Sequence, residues 1–416
     1  MTRPIQNVRP LGEARPAAPA GPRAASRPTR HDVVVVGGRV AGASTAMLLA
    51  RRGLRVLLLE RAPAPGTDTL STLALMRAGV LQLGRWGLLG KLEAAGTPPV
   101  RQTVVHYGAE AELVPIKEKA GVAALYAPRR TVLDAILVEA AAEAGAEVRF
   151  GAAVAGVVRE RGRVAGVAGR DREGRDFEAR ASLVVGADGM SSVVARAVGA
   201  PTTWQGTRAG AFVYGFWSGL EVPGYEWFYR VGATAGIIPT NHGLHCVWVG
   251  APPDRFRELS RDGLERCFDA LLAEAAPEAV GAVAAGRRDG RLRGFPGLPG
   301  HLRKPWGPGW ALVGDAGSFR DPISAHGMTD ALRDAELLAR QVPAALADPA
   351  QDSWALAAYE RRRDEAALPL AEITDAVASY RWSLPEVREL LLALSKAMSH
   401  EVAMLTGLDS PSEAAA

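Results

Sequence analysis

Cysteine is nearly absent, with Cys246 and Cys267 the only two in 416 residues. Two cysteines without Cys-x-x-Cys spacing support neither a disulfide framework nor a structural zinc site, and a reducing, cytoplasmic setting is the expectation. Long apolar runs are missing as well. Gly, Arg or Glu interrupts every hydrophobic stretch, including that around Val33–Val36, before the roughly 18 residues a membrane span needs. Nor is there a broadly basic body. Residues 1–30 hold six arginines against Glu13, a surplus of five in a chain of net charge +4, so the remainder sits near −1. Such a body offers nucleic acid no bulk attraction. The same opening segment has six prolines and lacks both the apolar core of a signal peptide and the periodicity of a transit helix. It reads as a disordered basic tail. No repeat of solenoid length is present.

What is there is a globular composition, 48% hydrophobic and 23% charged, sufficient for a large core and two or more domains. Asp32–Gly37 (DVVVVG) is a β-branched strand ending in glycine, Ala41–Arg52 reads as a helix stopped by Gly53, and Leu54–Glu60 follows as a second buried strand. Strand, tight turn, helix and strand make a βαβ unit, which places the chain in the α/β class with a parallel sheet covered on both faces. Thr131–Ala144 reads as a helix, Glu147–Phe150 and Val154–Arg159 as strands, and Ser182–Ala187 as another buried strand. Residues 201–300 change character, with Phe212, Tyr214, Phe216, Trp217, Tyr225, Trp227, Phe228, Tyr229 and Trp248 among Gly and Pro. This is a separate sheet-rich module, its aromatics serving either a pocket or a core. A strand near Trp310 leads into a helix from about Thr329, and the chain beyond Ser353 reads as helical.

The first motif, Gly37-Gly38-Arg39-Val40-Ala41-Gly42, matches the dinucleotide fingerprint at its first and third glycines but carries Arg39 at the middle one. A tight turn of this kind aims the unpaired N–H groups of a helix start at a diphosphate. With Arg39 there, either the turn dilates or the guanidinium itself becomes a partner. Glu60, 23 residues after Gly37, is placed to accept from a ribose diol, with Arg61 beside it.

Two further segments, Leu183–Ser192 (LVVGADGMSS) and Ala311–Asp334 (ALVGDAGSFRDPISAHGMTDALRD), follow in order. Together the three resemble the FAD-binding signatures of class A flavoprotein monooxygenases, a superfamily that also holds geranylgeranyl-type reductases and flavin halogenases. The resemblance covers most of residues 31–345 and leaves the substrate module unread. It implies a Rossmann-like FAD-binding domain of residues 31–200 and 301–352, interleaved with a substrate domain at 201–300 and followed by C-terminal helices at 353–416. It also implies that Asp315 bonds a ribityl hydroxyl with Gly314 allowing close approach, and that Pro322 packs near the isoalloxazine. Gly327, Met328 and Thr329 open a helix facing the pyrimidine end of the ring. Asp188 and Gly189 form a turn beneath the cofactor, and the spacing to Asp134 favours Arg130 over Arg129 as the arginine that contacts it. His326 reads either as a group beside the reaction centre or as a loop histidine bonded to backbone.

The activity so implied is a monooxygenase in which NAD(P)H reduces FAD and one oxygen atom of O2 passes to a small organic substrate, aromatic or a secondary metabolite, by hydroxylation or epoxidation. With one dinucleotide fingerprint, no second nucleotide domain is expected for NAD(P)H. The alternatives are an FAD-dependent reductase of an isoprenoid double bond and a non-catalytic flavin-binding protein. A halogenase is disfavoured because its Trp-x-Trp-x-Ile-Pro signature is missing, Ala235–Pro239 (AGIIP) being nearest. No metal site is expected, since His242 and His245 fall on opposite faces of a strand entry. Arg361–Arg363 reads as a charged helix face.

Overall fold

The structure, a computed structural model, describes residues 30–348 and 352–408, so the expected disordered tail lies outside the described residues except for Arg30. The valine run forms the strand His31–Val36. Val33–Val36 pair in parallel with Val56–Leu59 on one side and with Leu183–Gly186 on the other. An uninterrupted apolar strand suits this central position, because neither of its faces meets water. The sheet continues in parallel to Glu147–Phe150 at one end and Trp310–Leu312 at the other. The hairpin Ala153–Glu160 and Arg163–Arg170 adds antiparallel to the strand Asp176–Gly186, which joins in one run the alternating segment ending at Ala181 and the buried strand from Ser182 that the sequence separates.

The crossover helix Val40–Arg51 is buried on nearly every side. Its small and aliphatic residues pack between the sheet, the helix Arg130–Glu143 and the long helix Gly327–Ala347. A helix so largely apolar is suited to this interior setting.

The second sheet has seven strands, in the order Arg287–Phe295, Ala211–Ser218, Leu244–Ala251, Ala233–Pro239, Tyr225–Arg230, Gln102–Tyr107, Glu110–Pro115. Its pairings are antiparallel except where Tyr225–Tyr229 meets Thr103–Tyr107. Two of its strands therefore come from residues 102–115, within the span 31–200 assigned above to the first domain. Their pairing edge is met by Tyr225–Arg230. The period-two alternation sorts the aromatics. Phe212, Tyr214 and Phe216 face Leu73, Ala74 and Ile323 of the first unit. Trp217 and Phe228 face the other way, under the helix Leu264–Ala275, where Trp217 stacks on Phe268 at 5.0 Å.

Two more long helices, Asp352–Val377 and Leu384–Gly407, close the molecule. Arg363 corrects the reading of residues 361–363 as a solvated face. It is fully buried and donates to the carbonyls of Gly317 and Arg303 at 3.2 and 2.9 Å. A guanidinium there satisfies loop carbonyls that the packed helix shields from water. Among the described residues no helix is long and apolar enough to cross a membrane.

Candidate cofactor and active site

The site is built at the carboxyl end of the first sheet. Gly37 has φ +101°, and a Cβ there would lie 2.4 Å from the Ala187 carbonyl oxygen. Gly42 rests on the turn so closely that its Cβ would meet the Gly37 oxygen at 1.8 Å. These two contacts seat the start of the helix Val40–Arg51 against the strand ends, leaving its first N–H groups free of intrahelical partners. Arg39 is in extended backbone, φ −88° and ψ −168°, which needs no glycine. Its side chain leaves the turn and donates to the Thr67 carbonyl at 2.6 Å and to Asp134 Oδ2 at 3.2 Å.

Asp134, buried in the Arg130–Glu143 helix, also takes two bonds of 3.0 Å from Arg130. Two guanidinium groups thus share one carboxylate, which leaves a positive surplus beside the helix start. Arg130 borders the cavity described below. Arg129 instead stacks its guanidinium 3.8 Å above the Phe216 ring. Sequence spacing used Asp134 only as a marker. Its role in holding Arg39 as well depends on a contact 95 residues apart.

Glu60 ends its strand with the carboxylate buried. It accepts from the Gly38 N–H at 2.6 Å and from the Ala62 N–H at 2.8 Å. A carboxylate has about four acceptor positions, so two remain for a diol. Arg61 next to it is exposed at the rim. Across the turn, Asp188 caps the short helix Val193–Val198, accepting from Ser192 Oγ at 2.5 Å and the Val193 N–H at 2.6 Å, and Gly189 takes φ +78°.

At the other end, Gly314 donates its N–H to Asp334 Oδ2 at 3.1 Å and has φ +57°. Burial, and then the charge of Asp330, push the Asp315 carboxyl up to about 7, with Arg130 opposing. The turn Pro322–Ser324 is capped by Asp321, which accepts from the N–H groups of Ile323 and Gly210 at 2.9 and 2.6 Å. Ala325 follows in the left-handed region at φ +51°, a conformation that costs a non-glycine residue about 1–2 kcal/mol and turns the chain into the helix start. His326 is not bonded to backbone through its side chain. Its Nε2 lies 2.7 Å from Glu401 Oε2 of the last helix.

These elements border one cavity of about 580 Å³. Gly37, Arg39, Glu60 and Arg61 line it, as do Asp188 and Gly189, and Asp315, Pro322, His326, Gly327 and Met328. Beyond them the wall includes Phe212, Tyr214 and Phe295 from the second sheet, together with Phe319, Leu70, Leu73 and Ala74. Gly42, Gly314 and Thr329 stand behind the lining. Thr329 turns its hydroxyl to the Met76 N–H at 3.2 Å and so fixes the helix start from outside. His326, Asp330 and Glu401 bring ligand-type atoms within 4.8 Å of one another, but guanidinium groups of Arg320 and Arg333 already pair with the carboxylates. His242 and His245 contribute to no such group among the described residues.

A glycine turn at a helix start, a buried acid at the next strand end and an acidic loop before a second helix form one site between two sheets. Residues 30–373 match the model of the FAD binding domain family, and the chain belongs to that family. It is an FAD-dependent oxidoreductase. Digeranylgeranylglycerophospholipid reductase 1 of Methanococcoides burtonii is 27% identical over 348 residues, covering 80% of this chain and 79% of its own. A flavin-dependent brominase, Bmp2, superposes with a TM-score of 0.75 at 20% identity over 91% of this chain and 94% of its own. A geranylgeranyl bacteriochlorophyll reductase-like protein of Thermoplasma acidophilum gives 0.73 at 20% identity over 92% and 97%. At such identity the two structures speak to the fold alone. The residues present fit FAD: the glycine cradle admits no Cβ, the paired arginines leave a positive surplus, and Glu60 retains acceptor capacity.

Proposed function

We propose that the protein reduces carbon–carbon double bonds in an isoprenoid-type substrate, with NAD(P)H as the external reductant. The observation that carries this reading is the similarity to a digeranylgeranylglycerophospholipid reductase across four-fifths of both chains. It displaces oxygen insertion as the first reading, and the cavity agrees with it. An extended apolar chain suits a wall of Phe212, Tyr214, Phe295 and Phe319, because burying CH₂ groups there is favourable by about 0.8 kcal/mol each.

When bound, FAD supplies the two-electron chemistry. Glu60 would hold the adenosine ribose, and Arg39 and Arg130, with the start of the Val40–Arg51 helix, would hold the diphosphate. Asp315 would meet the ribityl chain. Pro322 and Met328 would pack beside the ring, and the aromatic wall would align the substrate against it while keeping water out.

The same dry wall would also serve oxygen insertion, so the test must separate the two. The FAD-loaded protein is incubated without oxygen with a geranylgeranyl-bearing phospholipid and NADH or NADPH, and the product is weighed by mass spectrometry. The expected gain is two hydrogens per double bond. A product that forms only in air and gains one oxygen atom rejects the reductase reading.

A further inference from the structure

The aromatic row that lines the cavity continues past it. Gly210, whose N–H donates to Asp321 beside Pro322, leads into the strand Ala211–Ser218. Phe212 and Tyr214 of this strand line the cavity, and Phe216 follows on the same face, outside the lining. From Phe212 to Phe216 the chain advances about 13 Å. Two guanidinium groups stand at this far end. Arg293 lies directly across from Tyr214 on the neighbouring strand, and Arg129 covers the Phe216 ring at 3.8 Å.

Their common partner is Asp68, on the segment that brings Thr69 and Leu70 to the cavity. Its Oδ2 lies 2.7 Å from Arg293 Nη2 and 3.7 Å from Arg129 Nη2, and among the described residues no other carboxylate pairs with either arginine. Arg129 is the less satisfied of the two. Its contact with Asp68 is too long for a hydrogen bond, its Nε is buried without a partner, and no oxygen of the described residues accepts from its guanidinium. Only 14% of the side chain is exposed, so solvent reaches few of its five donors. An arginine kept for packing alone would be expected to give its N–H groups to carbonyls, as Arg363 does. Asp68 and Arg293 are partly exposed, and Leu70 beside them is half exposed, so this end of the row is open to a ligand.

We propose that Arg129 and Arg293 form an oxyanion subsite that takes the phosphate of the isoprenoid substrate, and that Asp68 occupies the place of that phosphate until it arrives. Guanidinium groups take phosphate oxygens in paired N–H···O bonds, and two of them can surround a tetrahedral anion that one carboxylate oxygen only partly replaces. A phosphate monoester carries about −1.5 to −2 charge at pH 7 against −1 for a carboxylate, which favours the exchange. An apolar chain anchored there runs past Tyr214 and Phe212 toward the Pro322 turn. The subsite thus selects chains with an anionic head over neutral ones. The chain in this proposal rests on the isoprenoid reading above, and the head rests on the two arginines.

The test is equilibrium binding to the full-length, FAD-loaded protein, with geranylgeranyl phosphate, geranylgeraniol and inorganic phosphate as probes. Wild type should bind the phosphorylated chain at least about tenfold more tightly than the alcohol. R293Q should lose about tenfold for the phosphorylated chain and nothing for the alcohol. D68N should gain affinity for the phosphorylated chain alone, because the competing carboxylate is gone. A merely structural ion pair gives the opposite in D68N, a loss with both chains. Equal wild-type affinity for the two chains, or a D68N variant that binds the phosphorylated one no more tightly, overturns the proposal, and these two results decide it if R293Q does not fold. Inorganic phosphate that binds as tightly as the phosphorylated chain would mark a site for a free anion and overturn the assignment to the substrate. Binding of neither chain would reject the isoprenoid reading itself, and this subsite with it.

Discussion

Glu60 accepts two backbone N–H groups, which makes it a brace for the turn, and keeps room for the two bonds that the proposed ribose contact requires. Glu60→Ala removes a charged acceptor worth about 1.5–3 kcal/mol, so FAD should bind roughly 10- to 150-fold more weakly in a fluorescence titration. Unchanged affinity would reject the ribose assignment. Asp315 permits a second test in the cofactor-free protein. Burial, and then the charge of Asp330, push its folded carboxyl up to about 7 from an ordinary 3.8, so the folded state should retain a proton that the unfolded chain releases across that window. The unfolded state then binds fewer protons, and this group's contribution to stability falls as pH rises from about 4 to about 7. Asp315→Asn lacks the loss. Its melting temperature relative to wild type should climb between pH 5 and pH 8, and a constant difference would show that the carboxyl is not held protonated.

Among the elements, the last helix is the one whose ends have distinct tasks. Ser383 and Glu386 cap its start reciprocally, Glu386 accepting from the Ser383 N–H at 2.7 Å, while Glu401 lies about five turns further on. Ser383→Ala should cost about 1 kcal/mol in denaturant unfolding and leave FAD affinity unchanged. A parallel loss of FAD would mean that fraying reaches Glu401. The opening βαβ unit is legible in the sequence because its signals are local: a valine run, two glycines and an acid at the next strand end. Asp134, Arg363 and Glu401 are not legible in the same way. Each is a polar position on a helix, and its partner arrives from far along the chain, 75 residues away for His326 and Glu401. The strands at 102–115 escape for a similar reason, since neither shows a buried–exposed alternation and their place in the second sheet depends on Tyr225–Arg230, far along the chain.

At the scale of the molecule, the cavity wall is drawn from both sheets, so filling it should tighten the whole. A ligand at 100 times its Kd adds about 2.7 kcal/mol to the stability of a protein that binds it only when folded. Saturating FAD should therefore raise the melting temperature by several degrees in a thermal-shift assay, whereas FMN, which lacks the half assigned by the proposal to Glu60, should raise it much less. Equal shifts would place the binding determinants at the flavin end alone.

The first sheet also imposes an order on synthesis. The strand His31–Val36 and its helix emerge early, but Trp310–Leu312, which completes the parallel sheet, and Gly327–Ala347, which covers that helix, follow roughly 250 residues later. At 5–20 residues per second a nascent chain waits about 13–50 s with one face of an apolar helix uncovered. The chain is therefore expected to depend on holding factors at the ribosome, and slowing translation between residues 60 and 310 should lower its soluble yield more than slowing it after residue 350.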